Sequence, residues 1–403
     1  MPEKYLALSV IIFIILMLRT QNSLVQVYVG SFTAYFFLGW VFAKYVDIWQ
    51  LTFYSISALS LMCGVVMGNS FIAIRKLQKA DTKRIDFSIP EEGIQFNPLL
   101  TIALISCVFV AFCSYLILIL LHGLPVLNIG DRTEVSGFFT YLIGLIWIIY
   151  PFIYVWLPKR YLLAATFGVG FIMLTMGYRT PLVVTILMFI FLNIKYGRFV
   201  LTRNIKLLGC LLLLSVLTLY PLLRFQDDPE AVVKLLANLD MPEELFVFAP
   251  FILVFAEGAS VVKGIAMILP DVGLQYGQFT LAGFSTVLPG EQTHSRTLLS
   301  YWLGRTNWQE STTTSSILGQ FYLEVGQYGT YFLCFFLGLF ICLGSNRFLT
   351  ANRPIKSAPF LIVFILLTIS IHTGMLDPLI LYVLLIYMLI IFISKMGDVI
   401  FKK

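Results

Sequence analysis

The chain has 403 residues, 59% of them hydrophobic and 12% charged, with a formal net charge of +6. A soluble domain carries about 25% charged residues, so composition excludes an ordinary soluble protein. The positive balance does not indicate nucleic acid, because the basic residues are sorted by loop, which in a membrane protein reports sidedness.

Apolar runs such as Leu99 to Leu121 and Phe360 to Ile371 approach or exceed the roughly 20 residues that cross a hydrocarbon core as a helix, the one open structure that satisfies its own backbone there. The first stretch, Tyr5 to Leu18, has one lysine before it and no small-residue cleavage pattern behind it, and reads as a retained helix. Spans are predicted near residues 4–19, 24–43, 49–74, 99–121, 137–157, 161–178, 180–194, 205–223, 317–345, 358–376 and 378–395. The fold class is therefore all-α, a polytopic transmembrane bundle of about eleven helices. Residues 1–223 form the first eight, 224–316 a large extracytoplasmic loop with short or interfacial helices, and 317–403 the last three and a cytoplasmic tail.

Sidedness follows from Arg75, Lys76, Lys79, Lys83 and Arg84 in one loop and Lys195, Arg198, Arg203 and Lys206 in another, both cytoplasmic by the positive-inside rule. With an odd helix count and Lys402 and Lys403 inside, the N-terminus falls outside. Within the long loop, Leu245 to Leu269 is apolar but carries Pro250, Glu257 and Lys263. A helix in or near the interface is the reading for it, with a crossing as the alternative. The six cysteines all lie in apolar segments, so neither a disulfide framework nor a metal motif is predicted. GxGxxG, Walker, HExxH and GxSxG patterns are absent from the sequence, and no cofactor or metal is expected.

Several polar residues interrupt this apolar pattern. Arg179, in Gly177-Tyr178-Arg179-Thr180-Pro181, lies where two apolar segments meet. At that depth a guanidinium snorkels, joins an ion pair, or meets an anion. Arg224 closes the predicted eighth span on the same outer side, and two such forks suit a diphosphate. The outer loop is acidic overall, with Asp227, Asp228, Glu230, Asp240, Glu243 and Glu244 among others, so phosphate recognition there falls to placed cations rather than to the summed field. Glu291, His294, Arg296 and Arg305 cluster in sequence, and His294 has the titration range of a general base, although a loop histidine is also often merely solvated. His372 and Asp377, at the outer ends of the last two predicted spans, carry the same two readings. The run Ser311 to Ser316 leads into Ile317, where hydroxyls cap a helix start or hold an anion. Tyr322, Glu324 and Gly326 follow, and a carboxylate inside a bundle is functional or partnered.

Taken in order, three of these elements resemble the Wzy-type O-antigen and capsule repeat-unit polymerases. They are the Gly177 to Pro181 junction with its arginine at a helix start, Arg224 at the close of the next outward helix, and the Leu288-Pro289 segment followed by Ser315 to Tyr322 and Gly326 to Gly329. The resemblance covers Gly177 to Gly329 and, before that, only helix layout. Many members have Arg and Trp after the proline, where this chain has Gly290 and Glu291. It implies a GT-C-like bundle in the bacterial inner membrane with its active site facing the periplasm. The implied activity is metal-independent transfer of a growing glycan from undecaprenyl diphosphate onto a lipid-linked repeat unit. Arg179 and Arg224 would hold the diphosphate, His294, Glu291 or His372 would serve the acceptor hydroxyl, and Arg296, Arg305, Ser315, Ser316 and Tyr322 would bind the rest of the substrate. Expected partners are the lipid-linked oligosaccharide, membrane lipid and a chain-length regulator protein, with no nucleic acid. The alternatives are an O-antigen ligase that delivers the glycan to lipid A core and a lipid-linked oligosaccharide transporter.

Overall fold

The computed structural model describes residues 2–19, 21–42, 47–78, 89, 93–124, 137–176, 179–199, 249–285, 295–304, 313–351, 353–375 and 378–401. Among these, the regular structure is helical. The helices are α1 (Pro2–Leu18), α2 (Ser23–Phe42), α3 (Ile48–Gln78), α4 (Pro98–His122), α5 (Gly137–Ile148), α6 (Tyr150–Trp156), α7 (Lys159–Thr175) and α8 (Arg179–Tyr196). They continue with α9 (Ala249–Val272), α10 (Gln278–Ser285), α11 (Ser295–Trp302), α12 (Ile317–Thr350), α13 (Pro354–Thr373) and α14 (Pro378–Ile400).

Six described segments are long and apolar enough to cross a membrane: Ile48–Ile74, Pro98–His122, Phe139–Trp156, Ile317–Thr350, Pro354–Thr373 and Tyr382–Ile400. Ser9–Leu18, Ser23–Leu38 and Pro181–Tyr196 are shorter apolar helical stretches. The predicted span at 205–223 lies outside the described residues. The predicted span at 137–157 is two helices that meet at Ile149. Pro151 has no N–H to give, and the Phe152 N–H bonds to Ile149 O at 2.9 Å instead of continuing the α-helical ladder. The Ile148 carbonyl released by that break accepts from the Tyr387 hydroxyl at 2.9 Å.

The chain forms two compact units: Met1–Thr82, Phe225–Arg347 and Leu366–Leu381 in one, Lys83–Arg224, Phe348–Ile365 and Tyr382–Lys403 in the other. In the first unit, α3 and α12 touch backbone to backbone. A Cβ on Gly64 would stand 1.9 Å from Phe335 O, and one on Gly338 would stand 2.0 Å from Leu61 O. Gly68 sits one turn further along against Cys342, so α3 presents the small-xxx-small face that lets membrane helices approach closely. Beside that seam the polar groups satisfy one another. Asn22 Nδ2 donates to Ser345 Oγ at 3.0 Å, Asn69 Nδ2 donates to Gln21 Oε1, and Cys342 Sγ donates to Asn69 Oδ1 at 3.2 Å. A separate apolar cluster of Val261, Ile265, Phe279, Leu299 and Leu323 joins α9, α10, α11 and the start of α12.

In the second unit, two cations sit on carbonyls freed at helix ends, where cations are favoured. Lys195 Nζ donates to Phe348 O and, at 3.0 Å, to Ala351 O. Buried Arg198 donates from Nη1 to Tyr154 O at 2.5 Å and Leu157 O at 2.8 Å, closing α6. Asn97 caps α4, accepting from Leu100 N at 2.8 Å, and donates to Ser394 O at 3.0 Å.

The α3–α12 contact carries a test. Replacing Gly338 with Ala forces the two backbones apart, and overpacking of this kind costs about 1–3 kcal/mol. The purified protein in detergent should unfold at a lower temperature, whereas Gly344→Ala, with open space at its Cβ position, should not. An unchanged midpoint for Gly338→Ala would contradict the close approach.

Candidate functional site

The site in the first unit begins with a break in α12. Gly326 takes φ 72° and ψ −172°, a left-handed region in which only glycine is unstrained. The helical ladder stops there, and the carbonyls of Leu323 and Glu324 need donors from elsewhere. The loop after α9 supplies them: Gln275 N–H bonds to Leu323 O and Tyr276 N–H to Glu324 O, each at 3.0 Å. Tyr276 pays for its place in that loop with backbone strain, at φ 45°.

The turn aims the N-terminus of α10 at the Glu324 side chain. Its carboxylate accepts from Gly277 N–H, from Thr280 N–H at 2.7 Å and from the Thr280 hydroxyl at 2.6 Å. Glu324 is buried, and the donors together with the helix dipole stabilise its negative charge. One turn earlier, Gln320 Nε2 donates to Thr280 Oγ1 at 2.8 Å while its Oε1 accepts from Met375 N–H at 2.5 Å. A single network thus ties α12 to α10 and to the loop after α13. A cavity of about 560 Å³ opens beside it, walled by Tyr276, Thr280, Gln320, Phe321, Glu324 and Met375 among others.

Of the residues predicted to bind or react, several take defined places in this unit. Ser316, at φ 54°, accepts from Gly319 N–H at 3.2 Å and so caps α12. Ser315 is fully buried against Gly374, and its hydroxyl has no hydrogen-bond partner. Tyr322 lies with its ring centroid 5.3 Å from those of both Trp49 and Phe53. Arg296 accepts at its carbonyl from Thr313 N–H at 3.4 Å, and the Thr313 hydroxyl lies 2.8 Å from that of Ser300. His372, one helical turn before Met375, has Nδ1 at 2.8 Å from the Tyr35 hydroxyl. Arg179 is the first residue of α8. Arg224, Glu291, His294, Arg305 and Asp377 lie outside the described residues.

Sequence reasoning singled out Glu324 as a carboxylate in an apolar helix but gave it no role, quoted Gln320 only within the Ser315 to Tyr322 run, and passed over Tyr35, Tyr276 and Thr280. A lone carboxylate next to a glycine is a local signal. The threonine and tyrosine have none, since their partners come from distant segments.

A family model described as "Putative O-antigen polymerase" matches residues 2–387, nearly the whole chain. The chain belongs to that family. No curated protein and no solved structure matches it. The membership and the apolar helices together make it an integral membrane protein of polysaccharide biosynthesis.

In this O-antigen polymerase family member the Glu324 carboxylate is the junction of the network, which gives a direct test. Glu324→Gln turns one accepting oxygen into an NH₂ that faces backbone N–H donors, a loss of about 2 kcal/mol by ordinary hydrogen-bond magnitudes. Amide hydrogen exchange across 275–281 should speed up in the variant while α4 is unaffected. Unchanged protection of that loop would show that the carboxylate does not hold it.

Proposed function

We propose that the chain is a repeat-unit polymerase that transfers a growing polysaccharide from undecaprenyl diphosphate onto a lipid-linked repeat unit at the outer face of the cytoplasmic membrane. The observation that carries this reading is the family match over residues 2–387. The chemistry fits the residues assigned to it. A diphosphate is already a competent leaving group, so its departure calls for charge stabilisation more than for a carboxylic acid that donates a proton. Arg179 and Arg224 are assigned to it because the guanidinium fork stays charged and pairs two oxygens at once. The acceptor hydroxyl has to lose a proton as it attacks, and His294, Glu291 and His372 are the candidates to take it. Arg296, Arg305, Ser315, Ser316 and Tyr322 are assigned to the remainder of the substrate, and a chain-length regulator is the proposed protein partner. No step calls for a metal.

Arg179→Lys and Arg224→Lys keep the charge and lose the bidentate geometry. Each should reduce polymer by about tenfold or more, given the advantage of fork pairing over a point charge, with unpolymerised lipid-linked repeat unit accumulating in cells that lack the chromosomal copy. Polymer length resolved by gel electrophoresis reads the outcome, and a normal ladder in both variants would remove the two arginines from the mechanism. Long chains left on the lipid carrier when the gene is deleted would replace the polymerase reading with a ligase.

A further inference from the structure

The cavity beside Glu324 has a wall of two kinds. Its polar side chains bond one another: Glu324 accepts from Gly277 and Thr280, while Gln320 bonds to Thr280 and Met375. The rest is carbon, from Leu281, Phe321, Val325, Leu333 and Ile380 among others, and no residue of the wall is basic. A sugar placed here meets polar groups already engaged with one another, and burying its hydroxyls without partners is costly. A phosphate meets a carboxylate and no cation. The wall suits hydrocarbon.

Much of it belongs to α12 between Gln320 and Leu333, inside the stretch Ile317–Thr350 that is long and apolar enough to cross a membrane. The lip is apolar too, since Tyr276 and Leu281 line the cavity and are still 75% and 65% exposed. An aliphatic cavity of about 150 Å³ stays dry and takes one benzene, a six-carbon molecule. By that measure about 560 Å³ takes roughly three or four five-carbon isoprene units. At the polar end, the Gln320 N–H bonds to Ser316 O at 3.0 Å, and a Cβ on Gly374 would come within 3.0 Å of Gln320 Oε1 and 2.2 Å of Ser315 Oγ. The apolar wall thus begins one helical turn from the serines assigned to the polar part of the substrate. We infer that this cavity holds isoprene units of the polyprenyl carrier, as the apolar half of the site for the lipid-linked substrate. This rests on the part of the polymerase reading that gives the substrate a polyprenyl diphosphate. A phospholipid chain would match the carbon wall, but it has no link to Ser315 and Ser316.

The test uses the full-length protein in lipid nanodiscs and a polyprenyl diphosphate with a diazirine on its chain. Light should attach the probe to peptides covering 276–281 and 320–333, and unlabelled polyprenyl diphosphate should displace it where excess phospholipid does not. Equal displacement by phospholipid assigns the cavity to bulk lipid and overturns the inference, as does labelling that misses both segments. This arm needs no variant, so it decides even if a substitution prevents folding. With a synthetic lipid-linked repeat unit, Leu281→Trp at the exposed lip should raise KM about tenfold at unchanged kcat, the lower end of what one misplaced methylene costs in an apolar pocket. A repeat unit carried on a single isoprene should show the same KM in both proteins. Met267→Trp, similarly exposed on α9 but outside the wall, should change neither value. An unchanged KM for the long carrier in Leu281→Trp overturns the inference. Displaceable labelling of the cavity in a preparation that makes no polymer from any lipid-linked repeat unit overturns the polymerase reading and keeps the carrier site. Polymer from a preparation without that labelling does the reverse.

Discussion

A backbone carbonyl released inside a hydrocarbon layer has no water to turn to, and each one left without a donor costs several kcal/mol. The break in α12 at Gly326 creates that demand, and the first unit is organised around meeting it. The N–H groups of Gln275 and Tyr276 answer the carbonyls of Leu323 and Glu324, which draws the loop after α9 onto the broken helix. Once the loop is there, the start of α10 faces the Glu324 carboxylate and supplies the donors that a buried anion requires. Gln320 then carries the connection on to Met375, beyond the end of α13. The cavity is a consequence of this chain of bonds, since its polar wall consists of groups already committed to one another.

The same requirement operates in the second unit with different means. Pro151 interrupts a predicted span, and the Tyr387 hydroxyl takes the carbonyl that is freed. Lys195 and Arg198 were read as markers of the cytoplasmic side, and they are also caps: their donors occupy the last carbonyls of neighbouring helices. A cation at the membrane edge can serve both purposes, because a long apolar stem lets its head reach the interface while its charge complements a helix end. Counting such residues as markers of sidedness misses what they hold together.

Lys195, Arg198, Gln320 and Glu324 are each committed to hydrogen bonds within their unit. The Tyr35 hydroxyl and His372 Nδ1, 2.8 Å apart, join α2 to the end of α13. Ser315 is a buried hydroxyl against Gly374 with no hydrogen-bond partner.

The sequence by itself determined the all-helical class, the membrane setting and the family likeness. Apolar run length and the spacing of a few motifs are local quantities, and long runs of Leu, Ile and Phe leave no other way to bury the backbone. It also exposed Gly326 and Glu324 as departures from that pattern, whereas the close packing of Gly64 and Gly68 against α12 came only from the structure. What the tertiary structure alone decided is which distant groups answer each local demand: Thr280 for Glu324, Met375 for Gln320, Tyr35 for His372. Those partners come from segments far apart in the chain, and a hydrogen bond depends on angles and distances of a fraction of an ångström that no spacing along a sequence encodes.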